Sequence, residues 1–197
     1  MSKDRRPARP GAAALLAVAP LLLLAAGAAG AADPQACAAC HGPAGNSIDP
    51  AIPSLAGQPA QFISTALFLY RQSSRKDPQM TPVAASLSNA EMNELAAFFS
   101  KQKPAAPSRR TAPENAAAGK RLAEKYHCVQ CHGPALMGLQ HIPRLAGQQF
   151  EYLRTQLRGF KAQTRADLDG NMTSAAQPLS DKDIEVLADY LAGLAAQ

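Results

Sequence analysis

The sequence predicts an all-α fold used twice in tandem, and three observations carry that prediction. A five-residue pattern, Cys-x-x-Cys-His, occurs as Cys37–His41 and again as Cys128–His132. A second segment, Ile52-Pro53-Ser54-Leu55-Ala56-Gly57-Gln58, returns as Ile142-Pro143-Arg144-Leu145-Ala146-Gly147-Gln148, while Met80-Thr81 and Leu87-Ser88 return as Met172-Thr173 and Leu179-Ser180. The offsets are 91, 90 and 92 positions, the drift expected of one unit copied with small loop changes. Between these landmarks the apolar residues recur at three- and four-residue steps, and no Val/Ile/Thr-rich alternating run suggests a sheet. The predicted domains span 33–103 and 114–197, joined by 104–113 and preceded by 1–32.

The first 32 residues read as a signal peptide. Lys3, Arg5, Arg6 and Arg9 precede an apolar stretch from Ala12 to Ala32 that ends in small residues, the three-part pattern of a cleaved secretory signal. An uncleaved membrane anchor is the competing reading, because the stretch is nearly long enough to span. The Ala/Gly-rich end and Pro20 favour cleavage. Arg5-Arg6 is followed by Pro7 and Ala8, which is not a twin-arginine context. Four of the 20 basic residues and one of the 15 acidic residues lie here, so the remainder carries a net charge of +2. The basic balance therefore belongs to the leader, and nothing resembles a nucleic-acid surface. The expected compartment is the periplasm.

Each copy then follows one plan. A first amphipathic helix is marked by Phe62, Ile63, Ala66, Leu67 and Tyr70, and in the second copy by Phe150, Leu153, Leu157 and Phe160. A closing helix opens with Ser88-x-x-Glu91 and with Ser180-x-x-Asp183, both capping-box patterns. Its apolar face is Met92, Leu95, Phe98 and Phe99, matched by Ile184, Leu187, Leu191 and Leu194. Pro104, Pro107 and Pro113, with Arg109-Arg110, mark Lys101–Pro113 as an exposed linker. A helix over Glu114–Tyr126 leads into the second motif, whereas only Asp33–Ala36 precede the first.

The two motifs contain all four cysteines. Cys-x-x-Cys-His is the attachment pattern of a c-type haem: two thiols add to the vinyl groups and the adjacent histidine lies under the iron. This assigns Cys37, Cys40, Cys128 and Cys131 to covalent attachment, and His41 and His132 to the iron. Three other uses of the cysteines compete with this one. A shared zinc site is opposed by the 87 positions from His41 to Cys128. A thioredoxin-like pair would need a βαβ pattern. Two structural disulfides suit an exported chain but do not require histidines at matching positions. Composition agrees with a prosthetic group. With 5% aromatics and no Trp, each copy is marginal as a protein-only core, and a buried porphyrin supplies the missing apolar surface.

The opposite face of each iron needs a ligand. Met80 and Met172 lie 39 and 40 residues beyond His41 and His132, in matching loops rather than on apolar helical faces. Met92 belongs to the closing helix, and Met137, His127 and His141 lie too near their own motif to cross the ring. Met–His ligation raises the potential relative to bis-His ligation and fills both axial positions, which points to one-electron transfer.

The paired Cys-x-x-Cys-His-Gly, Ile-Pro-x-Leu-Ala-Gly-Gln and Met-Thr segments resemble the cytochrome c4 family, exported dihaem proteins made of two class I cytochrome c domains. The resemblance covers nearly the whole chain after the leader. It implies two covalently bound haem c groups, with His41 and His132 as proximal ligands and Met80 and Met172 as distal ones. It also implies that the carbonyls of Pro53 and Pro143 accept a hydrogen bond from the ligating imidazoles. The function it implies is a soluble periplasmic carrier, not an enzyme, passing electrons from a bc1-type complex toward a terminal oxidase. The expected partners are redox proteins, with peripheral membrane contact compatible and nucleic acid excluded. A second reading is the dihaem subunit of a periplasmic dehydrogenase, such as flavocytochrome c sulfide dehydrogenase. A third, a dihaem peroxidase, is disfavoured by symmetric Met ligands. Similar domains pack an N-terminal helix on the closing helix. The short lead before Cys37 therefore predicts unequal leading edges, unless cleavage falls earlier.

Overall fold

The computed structural model describes residues 32–196. The signal-peptide reading therefore lies outside the described residues, apart from Ala32. Among the described residues the secondary structure is helical, with one isolated antiparallel bridge, Leu139–Ile142, and no strand.

The first copy consists of α1 (Pro34–His41), α2 (Ala60–Arg71), α3 (Met80–Ala85) and α4 (Asn89–Ser100). Asp33 caps α1 by accepting the Gln35 N–H at 2.9 Å, and Pro34 starts the helix where its missing N–H costs nothing. Asp33–Ala36 are thus not a free lead but the cap and first turn of the helix that carries the motif. Gly42 ends it at φ 77°, and a Cβ there would stand 2.0 Å from the Asn46 carbonyl oxygen, so no other residue fits. Ile63, Leu67 and Tyr70 of α2 meet Met92, Leu95 and Phe99 of α4 in one buried cluster. Each such side chain removed from water contributes about 2 kcal/mol before entropy is counted.

The second copy consists of α5 (Pro113–Lys125), α6 (Cys128–His132), α7 (Phe150–Lys161), α8 (Asn171–Ala176) and α9 (Asp181–Gly193). Helices α5 and α7 both pack on α9. The helix predicted over Glu114–Tyr126 begins one residue earlier and ends one earlier, because Pro113 initiates it and Tyr126 is its C-cap. His127 adopts left-handed backbone at φ 59° and breaks the chain between α5 and α6. Both predicted capping boxes form: the Ser88 and Ser180 hydroxyls accept from the Glu91 and Asp183 N–H groups, whose carboxylates accept in return.

The linker is largely exposed, as predicted, but it is strapped down rather than free. Asn46 holds the Lys103 carbonyl and the Ala105 N–H, Ser108 reaches Gln149, and Arg109 reaches Asp189. The two copies also meet directly. Gln149 Nε2 donates to the Ser47 carbonyl at 2.6 Å, the Tyr152 N–H donates to the Pro50 carbonyl at 3.0 Å, and the Arg144 guanidinium donates to the Ala56 carbonyl at 2.9 Å.

Candidate haem-binding sites

One face of each site is built by the motif helix and the Ile-Pro segment. In α1, Cys37 is half-buried, Cys40 is exposed and His41 is buried; in α6, Cys128, Cys131 and His132 repeat that order. The Ile-Pro segment is anchored from two sides. The Leu55 and Ala56 N–H groups donate to the Gly45 carbonyl and the Gly57 N–H to Phe99 of α4; in the second copy the acceptors are Leu136 and Leu191. So fixed, it presents the Pro53 carbonyl to His41 Nδ1 at 2.8 Å and the Pro143 carbonyl to His132 Nδ1 at 2.8 Å.

That contact decides the tautomer. A carbonyl oxygen only accepts, so Nδ1 carries the proton and Nε2 keeps its lone pair. Burial pushes both imidazoles below the usual histidine pKa, against the opposing pull of the proline carbonyls. Each ring is therefore held neutral, with a metal-binding nitrogen in a fixed orientation.

Cys37 and Cys128 behave as unactivated thiols. Burial first, and the charge of Asp33 second, raise the pKa of Cys37, and burial raises that of Cys128. A thioredoxin-like pair would instead have a lowered thiol pKa. Among the described residues no group of three or more His, Cys, Asp or Glu is placed to hold a metal ion, which removes the shared zinc reading.

The methionines need a correction. Met80 and Met172 do not lie in open loops: each sits in the first turn of a six-residue helix, α3 or α8. Met80 packs on the same cluster as Cys37, and Met172 on the same cluster as Cys128. An aspartate orders each approach. Asp77 accepts the Met80 N–H at 2.8 Å, and Asp167 accepts the Met172 N–H at 2.8 Å and the Thr173 hydroxyl at 3.0 Å. Met92 is core, as predicted, and His141 lies 3.7 Å from Asp169 on the surface.

Sequence reasoning missed a pair of stacked cations, Arg75 buried and Arg165 half-buried. Arg75 stacks over Tyr70 at 4.5 Å, and Arg165 stacks over Phe160 at 4.2 Å. Arg75 also donates to the Tyr152 hydroxyl of the other copy at 2.9 Å. Burial, with the neighbouring charge of Arg75, lowers Arg165 to about 10, and its Nε has no hydrogen-bond partner among the described residues. Such guanidinium groups match the carboxylates of a haem in charge and in donor geometry. The signal was present, since Arg75 and Arg165 lie 90 positions apart, as do Tyr70 and Phe160.

Two motif helices, each with a half-buried methionine packed on the same apolar cluster as its first cysteine, define a two-domain c-type cytochrome. The family model for cytochrome c matches residues 25–103 and 116–195, so its first match begins inside the stretch read as leader. Cytochrome c4 of Thiocapsa roseopersicina is 39% identical over 181 residues, covering 82% of this chain and 93% of that protein. The reduced recombinant cytochrome c4 from Pseudomonas stutzeri superimposes with a TM-score of 0.75 at 32% identity, covering 84% of this chain and all of that one. A thiosulfate dehydrogenase electron acceptor of Thiomonas intermedia (strain K12) is 35% identical, covering 82% of this chain and 81% of that protein. The chain belongs to the cytochrome c4 family. It is a dihaem electron-transfer cytochrome with two covalent haem c groups, and its partners are redox proteins.

Proposed function

We propose that this chain is a periplasmic carrier, not itself an enzyme, that takes single electrons from a bc1-type membrane complex and delivers them to a terminal oxidase. We divide it into a cleaved leader (1–32), two haem domains (33–103 and 114–197) and a strap between them. His41 and His132 are the proximal ligands, Met80 and Met172 the distal ligands, and Cys37, Cys40, Cys128 and Cys131 the thioether anchors. The observation that carries this reading is the doubled His Nδ1–proline carbonyl bond at 2.8 Å, which leaves one nitrogen of each buried ring free to ligate.

When bound, each haem supplies a one-electron ferric/ferrous couple. The chain does the rest. Pro53 and Pro143 orient the imidazoles, Asp77 and Asp167 hold the methionine turns, and Arg75 and Arg165 offer positive charge to the haem carboxylates. The Leu and Phe clusters keep water away. Nothing at these positions has to move during transfer, which keeps reorganisation small.

A second reading is favoured by a specific relative, the thiosulfate dehydrogenase electron acceptor: this chain would then accept electrons from a thiosulfate-oxidising dehydrogenase. Reduction of the purified holoprotein by a quinol-driven bc1-type complex, followed by reoxidation by oxidase-containing membranes, tests the first. If a thiosulfate-oxidising dehydrogenase reduces it rapidly while the bc1-type complex does not, the second replaces it.

A further inference from the structure

The two Ile-Pro-x-Leu-Ala-Gly-Gln segments grip each other across the boundary between the copies. Gln148 Oε1 accepts the Ser54 N–H at 2.8 Å, and its Nε2 donates to the Ser54 carbonyl at 2.9 Å. Gln58 does the same to Arg144, accepting its N–H at 2.9 Å and donating to its carbonyl at 3.0 Å. Both glutamines are buried, at 2% and 4% exposure, so water does not compete for these bonds.

The peptides they clamp are not ordinary ones. The Ser54 N–H belongs to the same peptide group as the Pro53 carbonyl, which accepts from His41. The Arg144 N–H belongs to the same peptide group as the Pro143 carbonyl, which accepts from His132. Each imidazole is thus one peptide group away from a side chain of the opposite copy.

We propose that Gln148 and Gln58 are crossed positioning residues: Gln148, in the second copy, sets the potential of the haem held by His41, and Gln58, in the first, that of the haem held by His132. A peptide whose N–H donates becomes more polarised, and its carbonyl becomes a better acceptor by roughly 10–30% per bond. A better acceptor on Nδ1–H makes the imidazole more basic, which favours ferric iron and lowers the potential. The interface that joins the copies thereby sets the potential on both sides of it. The proposal rests on the ligation reading above. It differs from plain satisfaction of buried backbone in predicting which haem responds.

The test uses the holoprotein with Gln148→Met and Gln58→Met, which keep side-chain length but remove the acceptor. Potentials are measured by spectroelectrochemical titration, with each haem assigned by nuclear Overhauser contacts to its own flanking residues. The His Nδ1–H resonances are followed in the ferrous state. Q148M should raise the potential of the haem attached at Cys37 and Cys40, shift the His41 Nδ1–H resonance upfield and leave the other haem unmoved; Q58M should do the reverse. Gln148→Glu retains an acceptor oxygen whether ionised or protonated, so it should restore the wild-type potential or lower it. Equal shifts in both haems, a shift confined to the haem of the mutated copy, or no shift overturns the proposal. Failure of the ligation reading has its own signature: His41 and His132 resonances in the unmutated holoprotein without the large ring-current shift of an axial ligand.

Discussion

Arg109 and Asp189 form an ion pair at 2.5 Å that locks the linker onto the closing helix α9. The Asp189 side chain is 3% exposed, and its carboxylate also accepts from the Ala112 N–H and the Asn115 amide, both at 2.9 Å. One buried carboxylate thus ends the linker and starts α5.

Asp189 predicts acid sensitivity. Burial acts to raise its pKa, but the bonds from Asn115, Arg109 and Ala112 outweigh it and hold the group below the usual carboxylate value. A depressed folded-state pKa means the stabilisation is complete above the unfolded value of about 4 and is lost as pH falls through the folded value. Asp189→Asn should cost about 2 kcal/mol at pH 7, because Asn115 and Ala112 lose their charged acceptor. Urea unfolding of the two holoproteins should show that difference narrowing below about pH 4. A gap that stays constant down to pH 3 contradicts the assignment.

Met80→Ala and Met172→Ala should each uncouple one haem from the other spectroscopically. Removing one thioether ligand should turn about half of the low-spin signal high-spin and lower the potential of that haem, while the other keeps its spectrum. Magnetic circular dichroism of the purified variants reads this directly. A fully low-spin M172A protein would refute Met172 as a ligand.

The double variant Cys128→Ala with Cys131→Ala should yield a chain carrying a single covalent haem, still attached at Cys37 and Cys40. Intact mass spectrometry would show the loss of one haem, and denaturing gels stained for haem peroxidase activity would retain a weaker band. An unchanged mass would exclude the second motif as an attachment site.

The features legible in the sequence are those written in short, contiguous patterns. The attachment motifs, the capping boxes at Ser88 and Ser180 and the stripes on α4 and α9 are local, and the offset between copies exposed them twice over. The short helices α3 and α8 leave no such trace, because six residues are too few to display a helical period. The glutamine grip was hidden for another reason. Gln58 and Gln148 stand in the repeated segment, but repetition does not say that each faces the other's copy, 86 and 94 residues away. Asp77 and Asp167 escaped notice because they precede their methionines by different intervals.

Gly119 explains how closely the first and last helices of the second copy pack. It is buried on α5, and a Cβ built there would lie 2.2 Å from the Cβ of Tyr190 on α9. Both atoms are fixed to their backbones, so neither can swing aside and the helices must separate. Gly119→Ala gains about 1 kcal/mol of helix propensity. Overpacking costs about 1–3 kcal/mol, and a 2.2 Å contact between two backbone-fixed atoms belongs at the upper end, so the net effect is a loss. Gly119→Val adds a branched side chain and should lose more. The exposed Ala117 is the control: Ala117→Gly touches nothing across the crossing and should cost only the propensity term, about 1 kcal/mol. Thermal unfolding of the holoprotein orders the three variants. Gly119→Val should be the least stable, and its melting should expose the haem attached at Cys128 and Cys131 before the other. If Gly119→Ala instead raises the melting temperature, the α5–α9 contact is looser than 2.2 Å implies, and propensity governs that helix.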